Sequence, residues 1–115
     1  MGKVFFLTHD RDPNHSIIER PFEYTIVEFS YIRPLDGSEP YIDLGLFKGG
    51  VLRRLRFFDP REIRITEGFP NSSGLAILDV SSRQMDRLGV RVINFEASDG
   101  GPEFWARDVA ELSTH

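Results

Sequence analysis

Cysteine is absent from this 115-residue chain, which excludes disulfides, thiolate nucleophiles and cysteine-ligated zinc in one step and agrees with a cytoplasmic setting. A basic excess is missing too. Fourteen Lys and Arg stand against 18 Asp and Glu, for a formal charge of −4, so the chain lacks the positive balance that wholesale binding to a phosphate backbone favours. Long apolar runs are also lacking: Val4–Leu7 is too short for the hydrophobic part of a signal peptide and far short of a membrane span, so no membrane association is expected. The chain opens Met1-Gly2, but Phe6 stands where a myristoylation start needs Ser or Thr. Neither a catalytic, a metal nor a nucleotide signature occurs. The sequence therefore implies no cofactor and points away from an enzyme without excluding one.

What is present describes an ordinary folded chain. Apolar residues make up 40% and charged residues 28%, close to globular usage, and the length suits one domain spanning 1–115. The apolar runs are short, aromatic and β-branched. Phe22–Ile32 has the densest strand signal. Its alternation changes phase, with Phe22, Tyr24 and Ile26 on one face and Val27, Phe29 and Tyr31 on the other. A β-bulge near Ile26-Val27 restores one apolar face, because an inserted residue resets the two-residue period. The alternative is a strand buried on both faces. Pro21 and Pro34 bracket it.

The stretch Tyr41–Phe69 organises the rest. Gly49-Gly50 between two apolar runs marks a two-residue hairpin turn, which pairs Lys48 with Val51, Leu46 with Arg53, Leu44 with Leu55 and Ile42 with Phe57. The other face then pairs Phe47 with Leu52, Gly45 with Arg54, Asp43 with Arg56 and Tyr41 with Phe58. A second turn, Asp59-Pro60-Arg61, sets Phe57 against Ile63 and Leu55 against Ile65, because a one-residue slip turns the isoleucines away from the core. It also sets Arg56 against Arg64, an opposed like-charge pair that needs Asp43, Glu62 or an anion between its members. One face of this three-stranded meander, Ile42, Leu44, Leu46, Leu55, Phe57, Ile63 and Ile65, is core. The opposite face carries Tyr41, Asp43, Phe47, Leu52, Arg54, Arg56, Phe58, Glu62 and Arg64. Arginines beside aromatic rings are enriched in protein interfaces and can also grip carboxylates or phosphates.

Elsewhere the signals are weaker. Val4–Thr8 reads as an opening strand, followed by a loop holding His9, Asp10, Asp12 and His15. These groups could ligate a cation, but their spacing matches no closed site, so no metal is assigned. Leu75–Val80 and Val90–Ala97 read as strands, with a link too short for a parallel crossover, hence an antiparallel connection. A short helix over 81–88 is expected, capped by Ser81 or Ser82 and stopped at Gly89. Asp79, Asp86 and Glu96 are the notable carboxylates. Asp79 reads either as a buried acid or, more simply, as the cap of the helix after its strand. For 102–112 the spacing of Trp105, Val109 and Leu112 and the propensity of Ala106, Ala110 and Glu111 favour a helix over a strand from Phe104 to Val109.

Together these readings predict a mainly β domain: an antiparallel meander forming a curled sheet, a sandwich or a half-open barrel, with one or two short helices. The favoured function is a small protein-interaction or regulatory domain, with a protein partner or a second copy bound through Tyr41, Asp43, Phe47, Arg54, Arg56, Phe58 and Arg64. The alternatives are a small-molecule-binding barrel or an enzyme using acids such as Asp79 and Glu96, and a single-strand nucleic-acid binder that stacks bases on the aromatic face. The acidic balance disfavours the last.

Overall fold

The computed structural model describes residues 13–65, 75–83, 88–94 and 102–112. The expected strand Val4–Thr8 and the residues His9, Asp10, Asp12, Asp86 and Glu96 lie outside them. Among the described residues there are eight strands: Thr25–Ile32 (β1), Tyr41–Lys48 (β2), Val51–Phe58 (β3), Arg61–Ile65 (β4), Leu75–Asp79 (β5), Val90–Asn94 (β6), Pro102–Ala106 (β7) and Asp108–Leu112 (β8). They make two antiparallel four-stranded sheets, ordered β1-β2-β3-β8 and β4-β7-β6-β5. The fold is mainly β, as the alternating patterns require, and it is not a closed barrel.

The first hairpin follows its sequence pattern pair for pair, from Tyr41 opposite Phe58 to Lys48 opposite Val51, around Gly49 and Gly50 at φ of 59° and 83°. The bulge in β1 is also present. Ile26 pairs with Leu46 and Glu28 with Gly45, leaving Val27 as the inserted residue. As a result Ile26 is buried and Phe29, opposite Leu44, packs against the core from the same side. The strand starts later than its composition suggests, because Pro21–Glu23 form a 3-10 turn.

Three expectations need correction. The segment 102–112 is not a helix: it is two strands broken at Arg107, with β7 in the second sheet and β8 in the first. Burial follows a two-residue period, with Phe104 and Ala106 buried in β7 and Val109 buried in β8. Pairing with β4 and β6 on one side of the break and β3 on the other outweighs the modest helix preference of Ala and Glu. Second, β4 does not pair with β3. At Asp59, whose φ is 52°, and Pro60 the chain turns out of the first sheet into the second, where β4 pairs with β7. Ile63 and Ile65, expected in the core, are exposed. Third, the helix expected over 81–88 is a 3-10 turn at Ser81–Arg83, Leu88 is not helical, and residues 84–87 lie outside the described set.

Strands β3–β4 and β7–β8 thus run side by side through a common corner. The ladder continues across it: Arg107 N–H donates to Phe58 O at 2.8 Å, Asp59 N–H to Pro40 O at 2.9 Å, Gly89 N–H to Ala106 O at 3.0 Å and Val80 N–H to Gly89 O at 2.9 Å. These bonds give backbone groups partners where the chain changes sheet, which lowers the cost of the corner. At the far edge of the second sheet, Asn14 bridges to Leu78, with His15 N–H bonded to Ile77 O, so a short extended segment shields that edge.

The core is one cluster fed from both sheets. Ile26, Ile42, Leu44, Leu46, Leu55, Phe57 and Val109 meet Leu75, Ile77, Val90, Val92, Phe104 and Ala106. Phe57 and Phe104 join the two layers edge to face, with ring centroids 5.1 Å apart. Burying rings of this kind contributes about 1.5–3 kcal/mol each, with a further ~0.5–1.5 kcal/mol from the edge contact.

Candidate functional site

Inward placement of Ile42, Leu44, Leu46, Leu55 and Phe57 forces Tyr41, Asp43, Gly45, Phe47, Leu52, Arg54, Arg56 and Phe58 onto the outer face of the first sheet. Neither β1 nor β8 crosses that face; both lie in the sheet beside its hairpin. Among the described residues the face is open. Phe47 is 43% exposed and Leu52 37%, and the β1 residues Val27 and Ile32 add 55% and 39%.

Two ion pairs run across the strands between these apolar side chains. Asp43 takes a two-point grip on Arg56, with Nε to Oδ1 at 2.8 Å and Nη2 to Oδ2 at 2.9 Å. The same guanidinium lies 3.8 Å above the Tyr41 ring. One rung along, Glu28 reaches past Gly45 to Arg54, Oε1 to Nε at 3.1 Å. That reach depends on the glycine, since a Cβ at position 45 lies 2.9 Å from the Glu28 Cβ. At the corner end, Arg107 stands 5.7 Å over the Phe58 ring and is gripped by Glu39 at 2.7 and 3.0 Å. The hydrogen bonds they donate to Asp43 and Glu39 push Arg56 and Arg107 above the ordinary guanidinium range. Both stay charged throughout any working range, and both are already neutralised.

Six of the seven residues assigned from sequence share this face; Arg64 does not. It lies on β4 in the second sheet, opposite Glu103. Arg56 is opposed by Ala110 instead, so the expected arginine repulsion does not arise. Sequence reasoning missed Val27, Glu28 and Arg107. The bulge was visible, and carrying the register through it into β2 was the one step that could have placed Glu28 beside Gly45.

The other candidates have structural roles. Asp79 accepts from Ser81 N–H at 3.0 Å and from Ser81 Oγ–H at 2.6 Å, and these bonds hold its carboxyl below the usual range, the reverse of a raised acid. His15 Nδ1 accepts from Ile17 N–H at 3.0 Å, a local turn. Arg53 seals one end of the core: it binds Glu111 at 2.8 and 2.9 Å, the Tyr24 hydroxyl and Ile17 O. Among the described residues there is no group of three or more metal-ligating side chains and no helix long and apolar enough to cross a membrane.

Comparison with protein-family models, with curated proteins and with solved structures finds no match. The functional reading rests on geometry and chemistry alone.

Proposed function

We propose that the chain is a small protein-interaction domain whose contact surface is the outer face of the first sheet and whose partner is a second copy of the same chain. The observation that carries this reading is the open sheet face itself: Val27, Ile32, Phe47 and Leu52 exposed around two ion pairs. Apolar groups gathered on one face favour a partner over water, and arginine with aromatic residues is the composition that interfaces enrich.

The charge layout favours a like partner. Both acids lie on the β1–β2 side, Glu28 and Asp43, and both arginines, Arg54 and Arg56, lie on β3. A two-fold axis parallel to the strands lays the acid side of one copy on the base side of the other, a self-complementary arrangement of the isologous type. Because each arginine already holds a carboxylate, the face offers little free positive charge to a phosphate backbone. Nucleic-acid binding is accordingly disfavoured.

Amide spectra recorded over a dilution series test the reading. Concentration-dependent shifts and broadening confined to β1, β2 and β3 are expected. Spectra independent of concentration, or changes centred on the second sheet, contradict it.

A further inference from the structure

The outer face of the second sheet differs from that of the first in a specific way. On the outer face of the first sheet Arg54 and Arg56 are each held by a carboxylate, and at the start of β4 Arg61 is held by Asp59. On the second, Arg64 and Glu103 stand directly opposed in the β4–β7 ladder, yet among the described residues neither they nor Glu62 and Arg91 form an ion pair. These four side chains line a cleft of about 260 Å³ together with Phe104 and Trp105. The Arg91 guanidinium rests 4.3 Å from the centre of the Trp105 ring.

The backbone holds this arrangement at some expense. Strand β4 is bulged between Arg61 and Arg64, and Glu62 sits at a φ of 53°. Bulges re-aim side chains at the edges of sheets, and a non-glycine residue in the left-handed region is a mark of functional geometry more often than chance allows.

We propose that this cleft binds a small zwitterion, a free α-amino acid with an apolar or aromatic side chain. The Arg64 fork takes the carboxylate in two-point fashion, Glu62 and Glu103 take the ammonium, and the side chain lies against Trp105. The balance of the lining selects this class. A simple anion meets two carboxylates, a simple cation meets two guanidiniums, and only a ligand carrying both charges satisfies both sets. The volume falls below that of pockets for drug-sized ligands and suits a ligand of this size. The site lies on the opposite sheet from the proposed contact face, so either can fail without the other.

Trp105 is the only tryptophan in the chain, so its fluorescence reports directly on the cleft. Titration of the full chain with L-phenylalanine is expected to give a saturable change. L-phenylalaninamide, which lacks the carboxylate, and N-acetyl-L-phenylalanine, which lacks the ammonium, should bind about tenfold more weakly or worse, and inorganic phosphate should give no response. Arg64→Met, an exposed substitution, should weaken L-phenylalanine to the same degree with the melting temperature unchanged. Absence of a saturable response to L-phenylalanine and L-leucine overturns the proposal, as does equal binding of the singly charged analogues or a phosphate response as strong as that of the amino acid. Should Arg64→Met fold poorly, the analogue series on the parent chain decides.

Discussion

At the scale of single residues, the outer face of the first sheet depends on one missing side chain and one two-point grip. A methyl group at Gly45 meets the Glu28 Cβ at 2.9 Å, and neither atom is the free end of a flexible chain. Gly45→Ala should therefore part β1 from β2 locally and cost about 1–3 kcal/mol, read as a lowered urea midpoint. Asp43→Ala removes the partner of Arg56, whose side chain is only 30% exposed. The expected loss is about 1–2 kcal/mol, between that of an exposed pair and of a buried charge-assisted bond. The Glu28–Arg54 pair is more open, and breaking it should cost no more than ~1 kcal/mol. Four described carboxyls are lowered in the folded state, Glu23 by its bond to Lys48, Asp36 by its bonds to Ser38, and Asp79 and Glu111, and all four enter the pH response. Asp79 is lowered by its Ser81 bonds and Glu111 by its bonds to Arg53. A carboxyl lowered in the folded state contributes stability that is present above its unfolded pKa, about 3.9 for Asp and 4.3 for Glu, and lost as the pH falls through its folded value. Urea midpoints should be nearly level from about pH 7 to 5 and fall below about pH 4. Asp79→Asn with Glu111→Gln should make that acid limb shallower, with Glu23 and Asp36 supplying the remainder; an unchanged limb in the double variant contradicts the assignment.

At the scale of elements, the corner is the part of the fold the sequence conceals. The hairpin β2–β3 was legible to the residue because a two-residue turn and a strict alternation leave one register. The β1 bulge was legible because the alternation visibly changes phase at Ile26-Val27. Asp59-Pro60, by contrast, has the composition of a hairpin loop, and nothing local distinguishes a turn back into the same sheet from a step into another. The partner that decides is β8, which takes the edge of β3 and lies some fifty residues away in the chain. The segment 102–112 misled for a related reason, since the step over Arg107 gives two short strands a spacing of apolar residues that imitates a helix. Six of the seven assigned residues still share one face, since the hairpin carries them, but Arg64 moves with β4 to the other sheet. The corner itself is tightly built: a Cβ at Gly89 lies 2.6 Å from the Arg107 carbonyl oxygen. Gly89→Ala must therefore displace the backbone that carries the Ala106–Gly89–Val80 hydrogen bonds. A loss of about 1–3 kcal/mol is expected, with amide exchange quickened first at Gly89 and Val80. Exchange unchanged at the corner contradicts this description.

For the whole molecule, a single core cluster draws on both sheets, and the Phe57–Phe104 contact joins them. The two sheets should unfold together, with Trp105 fluorescence from the second sheet and far-ultraviolet circular dichroism tracing the same urea transition; Phe57→Ala should lower both by about 3–5 kcal/mol. The two outer faces differ in how their charges are arranged. The first has its charges paired internally and its apolar groups exposed, which suits contact with a second copy. On the second, Glu62, Arg64, Arg91 and Glu103 form no ion pair among the described residues and lie around a tryptophan, which suits the small ligand proposed. The measurement that bears most directly on the first assignment is sedimentation equilibrium of the parent chain beside Val27→Asp with Phe47→Asp. Both residues point outward and are exposed, so the substitutions spare the core. The parent should show a concentration-dependent monomer–dimer equilibrium and the double variant a monomer with the parent's circular dichroism. A parent that stays monomeric at the highest attainable concentration, or a variant that dimerises as the parent does, contradicts the account.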